Sequence, residues 1–445
     1  MSAPDSSLRL VLEPEGFRLL ESLSARGAYD AAQAQAIGAG LRRRGVSSDL
    51  VAAVLTQWQL RGEAVSKFGP FADSMLFTRE GLEQATRLPV AGLHAARFRE
   101  AGCGVVADLG CGIGADSMAL GALGIGVRAF DMDEAAASCA LVNLRPFADV
   151  QVTVANVVDM DVAGLGVDGV FADPARRGAR GRLKNPEDWS PPLSLVLAWA
   201  DLVPGRNLGV KVAPGIDYGL IPGDGHAQWV SFDGEVLEAG LWFGDLRGPG
   251  GPGRSAVVMR SIECDPQSTS EVDAHTGFEQ NLPVRHGLRT HVLVDPDCTD
   301  PSQPAATVET GALGKYVWEA DGAVLRAGLL NRVAELGGAR GLVSPGIAYL
   351  CADTLPGAEV SPFVECFEVL DVLPLQVKAL RQWARANDVT SLEIKKRGAD
   401  VSPEKLRAQV LHGAPKPADG QGATLIATRV NGKHQALWVR RTHTS

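Results

Sequence analysis

The chain has 445 residues, 45% of them hydrophobic and 21% charged, with a formal net charge of −9. This is an ordinary globular composition, long enough for about two to four domains, and it excludes a uniformly basic nucleic-acid coat while leaving room for a local basic patch. No apolar run reaches the ~18 residues of a membrane span, and Met1-Ser2-Ala3-Pro4-Asp5 is neither basic nor apolar, so a cytoplasmic location is expected.

Residues 1–95 read as a helical region. Ala-rich stretches at Tyr29 to Ala39 and Asp49 to Leu60 alternate with Gly and Pro breaks, and Ser47-Ser48-Asp49 suits a helix start. A packing bundle is expected here, with a lid over a ligand as the alternative. From 96 to 263 strands and helices alternate. Val105 to Ala107 opens an interior strand, Gly126 to Asp131 follows, and further strands are expected at Val150 to Val154, Gly169 to Ala172 and Leu208 to Val212. A helix is read at Leu193 to Leu202, with antiparallel strands at Gln228 to Phe232, Leu237 to Phe243 and Ser255 to Ser261. Such a pattern gives a mostly parallel sheet covered by helices. Residues 264–279 read as a linker and Asp295 to Thr307 as a long loop. Beyond them come a strand at Tyr316 to Trp318, a helix at Ala323 to Leu336, a strand at Phe363 to Val369, a helix at Gln376 to Arg385, and a hairpin turning at Asn431-Gly432. Small α+β modules are the natural reading.

The chemistry concentrates at Asp108-Leu109-Gly110-Cys111-Gly112-Ile113-Gly114, between a buried strand and a helix. Glycines there permit a sharp turn and close approach of a ligand to the helix N-terminus. A strand, glycine turn, helix and second strand ending in Asp131 is how a doubly wound sheet holds a nucleoside ribose. Gly110, Gly112 and Ala115 could meet a relaxed dinucleotide fingerprint, but Asp108 is poorly placed beside a pyrophosphate and suits a cationic end, an ammonium beside a sulfonium. Asp108, Asp131, Asn156 and Asp173 fall at four successive strand ends. Asp131 suits the ribose hydroxyls, and Asn156 the amino group and ring nitrogen of adenine. Cys111 packs within the turn. The seven cysteines are scattered, odd in number and without a Cys-x-x-Cys pair, and the eight histidines lack a His-x-x-x-His spacing, so no metal is expected. Arg176, Arg177, Arg180, Arg182 and Lys184 follow Asp173 without an intervening acid, which suits a phosphate-contacting loop. Lys395-Lys396-Arg397 is a second, weaker basic cluster.

The Asp108 to Gly114 turn resembles the first motif of class I S-adenosylmethionine (SAM) methyltransferases, and Asp173-Pro174-Ala175-Arg176-Arg177-Gly178 resembles the Asp/Asn-Pro-Pro-aromatic motif of amino-group methyltransferases. Ala175 and Arg176 depart from it, standing where a second proline and a stacking aromatic are usual. Together with Leu82-Glu83-Gln84-Ala85-Thr86, Lys211 to Asp217, Glu235 to Glu238, Tyr316 to Asp321 and Leu392 to Gly398, these motifs resemble a bacterial group of SAM-dependent methyltransferases with a C-terminal THUMP-like domain. The resemblance implies a Rossmann-like class I α/β sheet, a ferredoxin-like module near 280–368 and a THUMP-like module over 369–445. It implies SAM as cofactor, cradled by Asp108, Gly110, Cys111, Gly112 and Gly114, with Asp131, Met132, Asn156 and Asp173 completing the site. Asp173 and the Pro174 carbonyl would orient the acceptor, and Arg176, Arg177 and Arg180 would meet an RNA substrate. No Cys lies near Asp173 or in Lys211 to Asp217, so C5 chemistry through a thiol is discounted. A protein or small-molecule substrate, a decayed RNA-binding protein and a nicotinamide oxidoreductase are the rival readings.

Overall fold

The computed structural model describes residues 6–178, 181–264, 285–412 and 421–442, and statements about the fold concern these. The chain forms two compact units, 1–212 with 240–251, and 213–239 with 252–445.

The first unit begins with six helices, α1 (Ser6–Leu12), α2 (Pro14–Ser24), α3 (Ala31–Arg43), α4 (Ser48–Phe68), α5 (Arg79–Gln84) and α6 (Leu88–Glu100). Side chains of Asp30, Ser47 and Thr78 accept the first free N–H groups of α3, α4 and α5. The sheet follows: β1 (Val105–Leu109), α7 (Ala115–Ala122), β2 (Gly126–Asp131), α8 (Glu134–Asn143), β3 (Val150–Val154) and β4 (Gly169–Ala172). A two-residue-per-strand hairpin, β5 (Arg177–Gly178) and β6 (Gly181–Arg182), precedes α9 (Leu193–Ala198) and β7 (Leu208–Val212). The strands pair in parallel in the order β7-β4-β1-β2-β3. All five residues of β7 and the last four of β1 are buried, the near-continuous apolar pattern of strands covered on both faces.

The N-terminal helices are not a separate bundle. Leu8, Leu20, Trp58, Phe68, Phe77 and Phe98 share one apolar core with Val106, Ile113, Met118, Val127 and Phe171. Two buried amides pin the segment before α5 into that core. Gln57 donates to the Phe77 carbonyl and accepts its N–H, and Asn143 accepts from Leu76 N at 2.7 Å while donating to the carbonyls of Leu76 and Ile113.

In the second unit, β8 (His226–Phe232), β9 (Glu235–Trp242, whose last three residues belong to the first unit), β10 (Gly253–Cys264) and β11 (Arg285–Val294) come first. β8 and β10 pair in parallel, correcting the antiparallel arrangement expected for them, and β11 pairs antiparallel with β10 over ten residues. The expected module starting at 280 therefore gives its first described strand to β10. The linker expected over 264–279 lies outside the described residues apart from Cys264, which ends β10. Asp295 to Thr307 is irregular, as expected.

The remaining elements are β12 (Tyr316–Ala320), α10 (Gly322–Arg326), α11 (Leu330–Gly337), β13 (Gly341–Ser344), β14 (Ile347–Ala352), β15 (Val364–Pro374), α12 (Val377–Ala386), β16 (Val389–Lys396), α13 (Pro403–Leu411), β17 (Gln421–Val430) and β18 (Lys433–Thr442). They build one seven-stranded sheet, β13-β14-β12-β15-β18-β17-β16. Its two faces bury separate cores: Leu380, Trp383, Val410 and Leu425 on one, Val317, Tyr349, Phe367 and Ile426 on the other. The expected 368/369 division falls inside β15, which pairs with β12 and β18 at once. Lys395 and Arg397 are not a free basic cluster: Lys395 contacts Glu319 at 2.5 Å and Glu365 at 2.7 Å, and Arg397 approaches Glu319 at 3.5 Å.

Replacing Asn143 with Leu would strand the Leu76 N–H and two buried carbonyls. We expect a loss of roughly 3 kcal/mol in unfolding free energy, read as a lower urea midpoint at unchanged slope.

Candidate functional site

β1 delivers the chain into its turn at Leu109. The N–H groups of Gly110 and Cys111 both donate to the Phe130 carbonyl at 2.9 Å, tying the turn to β2. Gly110, Gly112 and Gly114 have φ of 93°, 55° and 89°, conformations that other residues adopt only with strain. A Cβ on Gly110 would lie 3.1 Å from the Asp173 carbonyl oxygen, and one on Gly114 2.9 Å from Leu144 Cδ1. A Cβ on Gly112 would meet no atom within 4 Å. The outer glycines thus serve packing, while the middle one leaves open space beside the start of α7.

Asp131 borders that space. Its Oδ2 accepts from Gly112 N and its Oδ1 from Asp133 N, both at 2.8 Å, so its carboxylate is fixed in orientation. Burial raises its pKa against the lowering effect of those two N–H groups. Met132 is 66% exposed, and Val154, the register partner of Asp131 on β3, is exposed too. Asn156 is exposed and engaged locally: its amide donates to Asp159 at 2.8 Å and accepts from Val158 N, capping the short turn at 157–159. Cys111 is buried, and burial with nearby Asp108 and Asp131 pushes its thiol pKa well above the ordinary value, which fits packing.

Asp108 does not stand open to the turn. It is 1% exposed and accepts from Ser117 Oγ at 2.5 Å. Burial, reinforced by Asp116, Asp173 and Asp131, pushes its pKa up to about 8. Asp116, eight residues later and also buried, is driven the other way. Burial alone would raise it, but the hydrogen bond and charge of His94, with Lys211 and Thr86, hold it below the usual carboxylate range.

Asp116 belongs to a chain of hydrogen bonds that ends at Asp173. Lys211 Nζ, on a side chain 7% exposed, donates to Asp173 Oδ2 at 2.8 Å and to Thr86 Oγ1 at 2.9 Å. Thr86 donates to Asp116 Oδ2 at 2.7 Å, and Asp116 Oδ1 pairs with His94 Nδ1 at 2.7 Å. The imidazole packs beside Phe171 and Trp242 at centroid distances of 5.1 and 5.5 Å. Sequence reasoning missed Thr86, His94, Asp116, Ser117 and Lys211 as site residues. The available signal was Lys211, a lone charge inside an otherwise apolar strand.

After Asp173 the backbone turns back on itself. Pro174 is buried, Ala175 exchanges backbone hydrogen bonds with Ser190, and Arg176 O accepts from Leu183 N at 2.8 Å. Arg176 is half-buried, and its Nη1 is buried without a hydrogen-bond partner. Arg177 is described in its backbone alone, as part of the β5–β6 hairpin, and Arg180 lies outside the described residues. Among the described residues no cluster of three or more His, Cys, Asp or Glu could hold a metal ion, and no helix is long and apolar enough to cross a membrane.

Comparison with known proteins bears on this site. An uncharacterized S-adenosylmethionine-dependent methyltransferase of Mycobacterium tuberculosis, from strain CDC 1551 / Oshkosh and again from strain ATCC 25618 / H37Rv, is 33% identical to the chain over 372 residues, covering 80% of this chain and 88% of the relative. A crystal structure of a protein from Porphyromonas gingivalis W83 shares the fold: TM-score 0.64 at 20% identity, over 94% of this chain and 100% of that one. The family model for a THUMP domain-like module matches residues 364–441, and one for a domain of unknown function, DUF8688, matches 6–64.

A carboxyl whose folded pKa is raised stabilises the fold below its unfolded pKa and loses that contribution as pH rises through the folded value. For Asp108 the window runs from about 4 to about 8. The Asp108→Asn variant should therefore show a flatter decline of the denaturation midpoint between pH 5 and 8 than the parent protein.

Proposed function

We propose, from the premise that this chain belongs to the S-adenosylmethionine-dependent methyltransferase family of its mycobacterial relatives, that it methylates a base nitrogen of RNA, with a tRNA or rRNA as substrate and the cytoplasm as its setting. The enzyme is a methyltransferase and SAM is its cofactor. The residues present fit that molecule. Gly112 opens a cradle that a Cβ would begin to fill, Asp131 offers a fixed carboxylate for ribose hydroxyls, and exposed Met132 offers an apolar surface for adenine. Asp108, Gly110, Cys111 and Gly114 shape the turn, and Asn156, at the end of β3, retains one amide hydrogen for the adenine edge.

Bound SAM supplies a methyl group on a positively charged sulfur, so the protein's work is to position and desolvate. The observation that carries the reading is Asp173: it ends β4 against Gly110, is held by buried Lys211, and leads directly into Pro174. Its carboxylate and the Pro174 carbonyl would accept the N–H bonds of an amino group, aiming the nitrogen lone pair at the cradle. Arg176, with a guanidinium nitrogen lacking a partner, would stack on a base or clamp a phosphate, joined by Arg177 and Arg180. The THUMP domain-like match over 364–441 supports RNA, since such modules are associated with it. The buried, unreactive setting of Cys111 favours nitrogen over thiol-assisted carbon chemistry.

Transfer of labelled methyl from SAM to bulk RNA of a strain lacking the gene tests this. We expect Asp173→Ala to lose at least about 100-fold in rate while still binding SAM. Gly112→Val should lose SAM binding itself. Unchanged transfer by the Asp173 variant would contradict the assignment.

A further inference from the structure

We infer that Thr86, contributed by the segment between α5 and α6, is a positioning residue for methyl transfer: it fixes Lys211 so that Lys211 fixes Asp173. This rests on the reading of Asp173 given above and adds a device that acts through it.

The direction of every hydrogen bond in the chain follows from donor and acceptor inventory. An ionised carboxylate only accepts, so between Thr86 and Asp116 the single hydroxyl hydrogen must point at Asp116 Oδ2. That leaves the lone pairs of Thr86 Oγ1 for Lys211, whose ammonium can only donate. The ammonium in turn donates to Asp173, the most exposed member of the chain at 26%. His94 closes the far end by pairing with the other oxygen of Asp116, and its ring is held by Phe171 and Trp242. A lysine has a long, freely rotating stem. Anchored at Thr86, it presents its charge to Asp173 in one place.

Thr86 is itself held from outside the sheet. Lys67 Nζ, at the end of α4, donates to the carbonyls of Leu82, Glu83 and Ala85 at 2.7, 2.8 and 2.9 Å, clamping the last turn before Thr86. Gly81 packs against Ile113 of the glycine turn so closely that a Cβ there would come within 2.4 Å of Ile113 Cγ2. The N-terminal region therefore reaches Lys211, and through it Asp173, by way of the Thr86 hydroxyl. Stability alone does not call for this arrangement, because buried ionic chains are often no better than apolar packing of the same volume. A requirement to orient Asp173 does call for it.

The test compares Thr86→Val, which keeps the shape and deletes the hydroxyl, with Thr86→Ser, which keeps the hydroxyl. In methyl transfer from SAM to bulk RNA we expect Thr86→Val to lose about 10- to 100-fold in kcat, with SAM affinity by calorimetry within about twofold and Thr86→Ser near the parent rate. Asp116→Asn, which weakens the acceptor that orients the Thr86 hydroxyl while keeping Thr86 itself, should show the same split if Thr86→Val does not fold. Equal loss in the Ser and Val proteins, or a fall in SAM affinity matching the fall in rate, overturns the inference. Should the parent protein transfer nothing to RNA, the substrate reading fails separately. Crystal structures of the two Thr86 variants without ligand then decide the inference: Lys211 leaving Asp173 in the Val protein alone supports it, and an undisturbed Lys211–Asp173 pair overturns it.

Discussion

Crowded negative charge is the constraint on which the site depends. Asp108, Asp116, Asp131 and Asp173 come from β1, α7, β2 and the end of β4, close enough for Asp108 to feel the other three electrostatically and for Asp131 to feel Asp173. Burial makes each further charge costlier. The protein meets this cost differently at each position. Asp108 is pushed toward its neutral form by burial and shares a hydrogen bond with Ser117; Asp116 is kept ionised through His94, Lys211 and Thr86; Asp131 rests on two backbone N–H groups; Asp173 is paired with Lys211. What remains facing the glycine turn is the Asp131 carboxylate, held by backbone N–H groups, beside Asp173, whose charge is shared with Lys211; such an edge suits a positively charged ligand better than a pyrophosphate. The conclusion drawn from Asp108 in the sequence survives, but the residues that carry it change: Asp108 lies beneath the turn, and Asp131 and Asp173 border it.

Much of the catalytic sheet was legible because its signals are local. The strands at 126–131, 150–154, 169–172 and 208–212 stand where the apolar runs put them, and the glycine turn could be read from spacing alone. The chain of polar contacts was not legible. Thr86, His94, Asp116 and Lys211 are separated by up to 125 residues and meet only after the sheet forms. A buried lysine in an apolar strand signals a partner without naming it. The parallel pairing of β8 with β10 was missed for a related reason: alternation in a short strand gives its face but not its direction.

Boundaries are less legible than strands. The sequence suggested a helical N-terminal region and small C-terminal modules. Packing merges the first into the catalytic core through Trp58, Phe68 and Phe77, and it merges the described strands from 316 onward into one sheet through β15. In that sheet the basic Lys395–Arg397 stretch turns inward to Glu319 and Glu365, so a charge run that reads as a surface feature serves as an internal tie. Side-chain pairing of this kind across distant strands leaves no mark in local sequence.

The central claim is that the opening beside Gly112 and Asp131 holds the cofactor. A crystal structure with S-adenosylhomocysteine tests it most directly. The account requires the ribose hydroxyls on Asp131, the amino-acid end over Gly110 and Gly112, and adenine against Met132. Ligand bound elsewhere on the chain, or an Asp131 whose oxygens contact only the N–H groups of Gly112 and Asp133 in the presence of bound ligand, would contradict it.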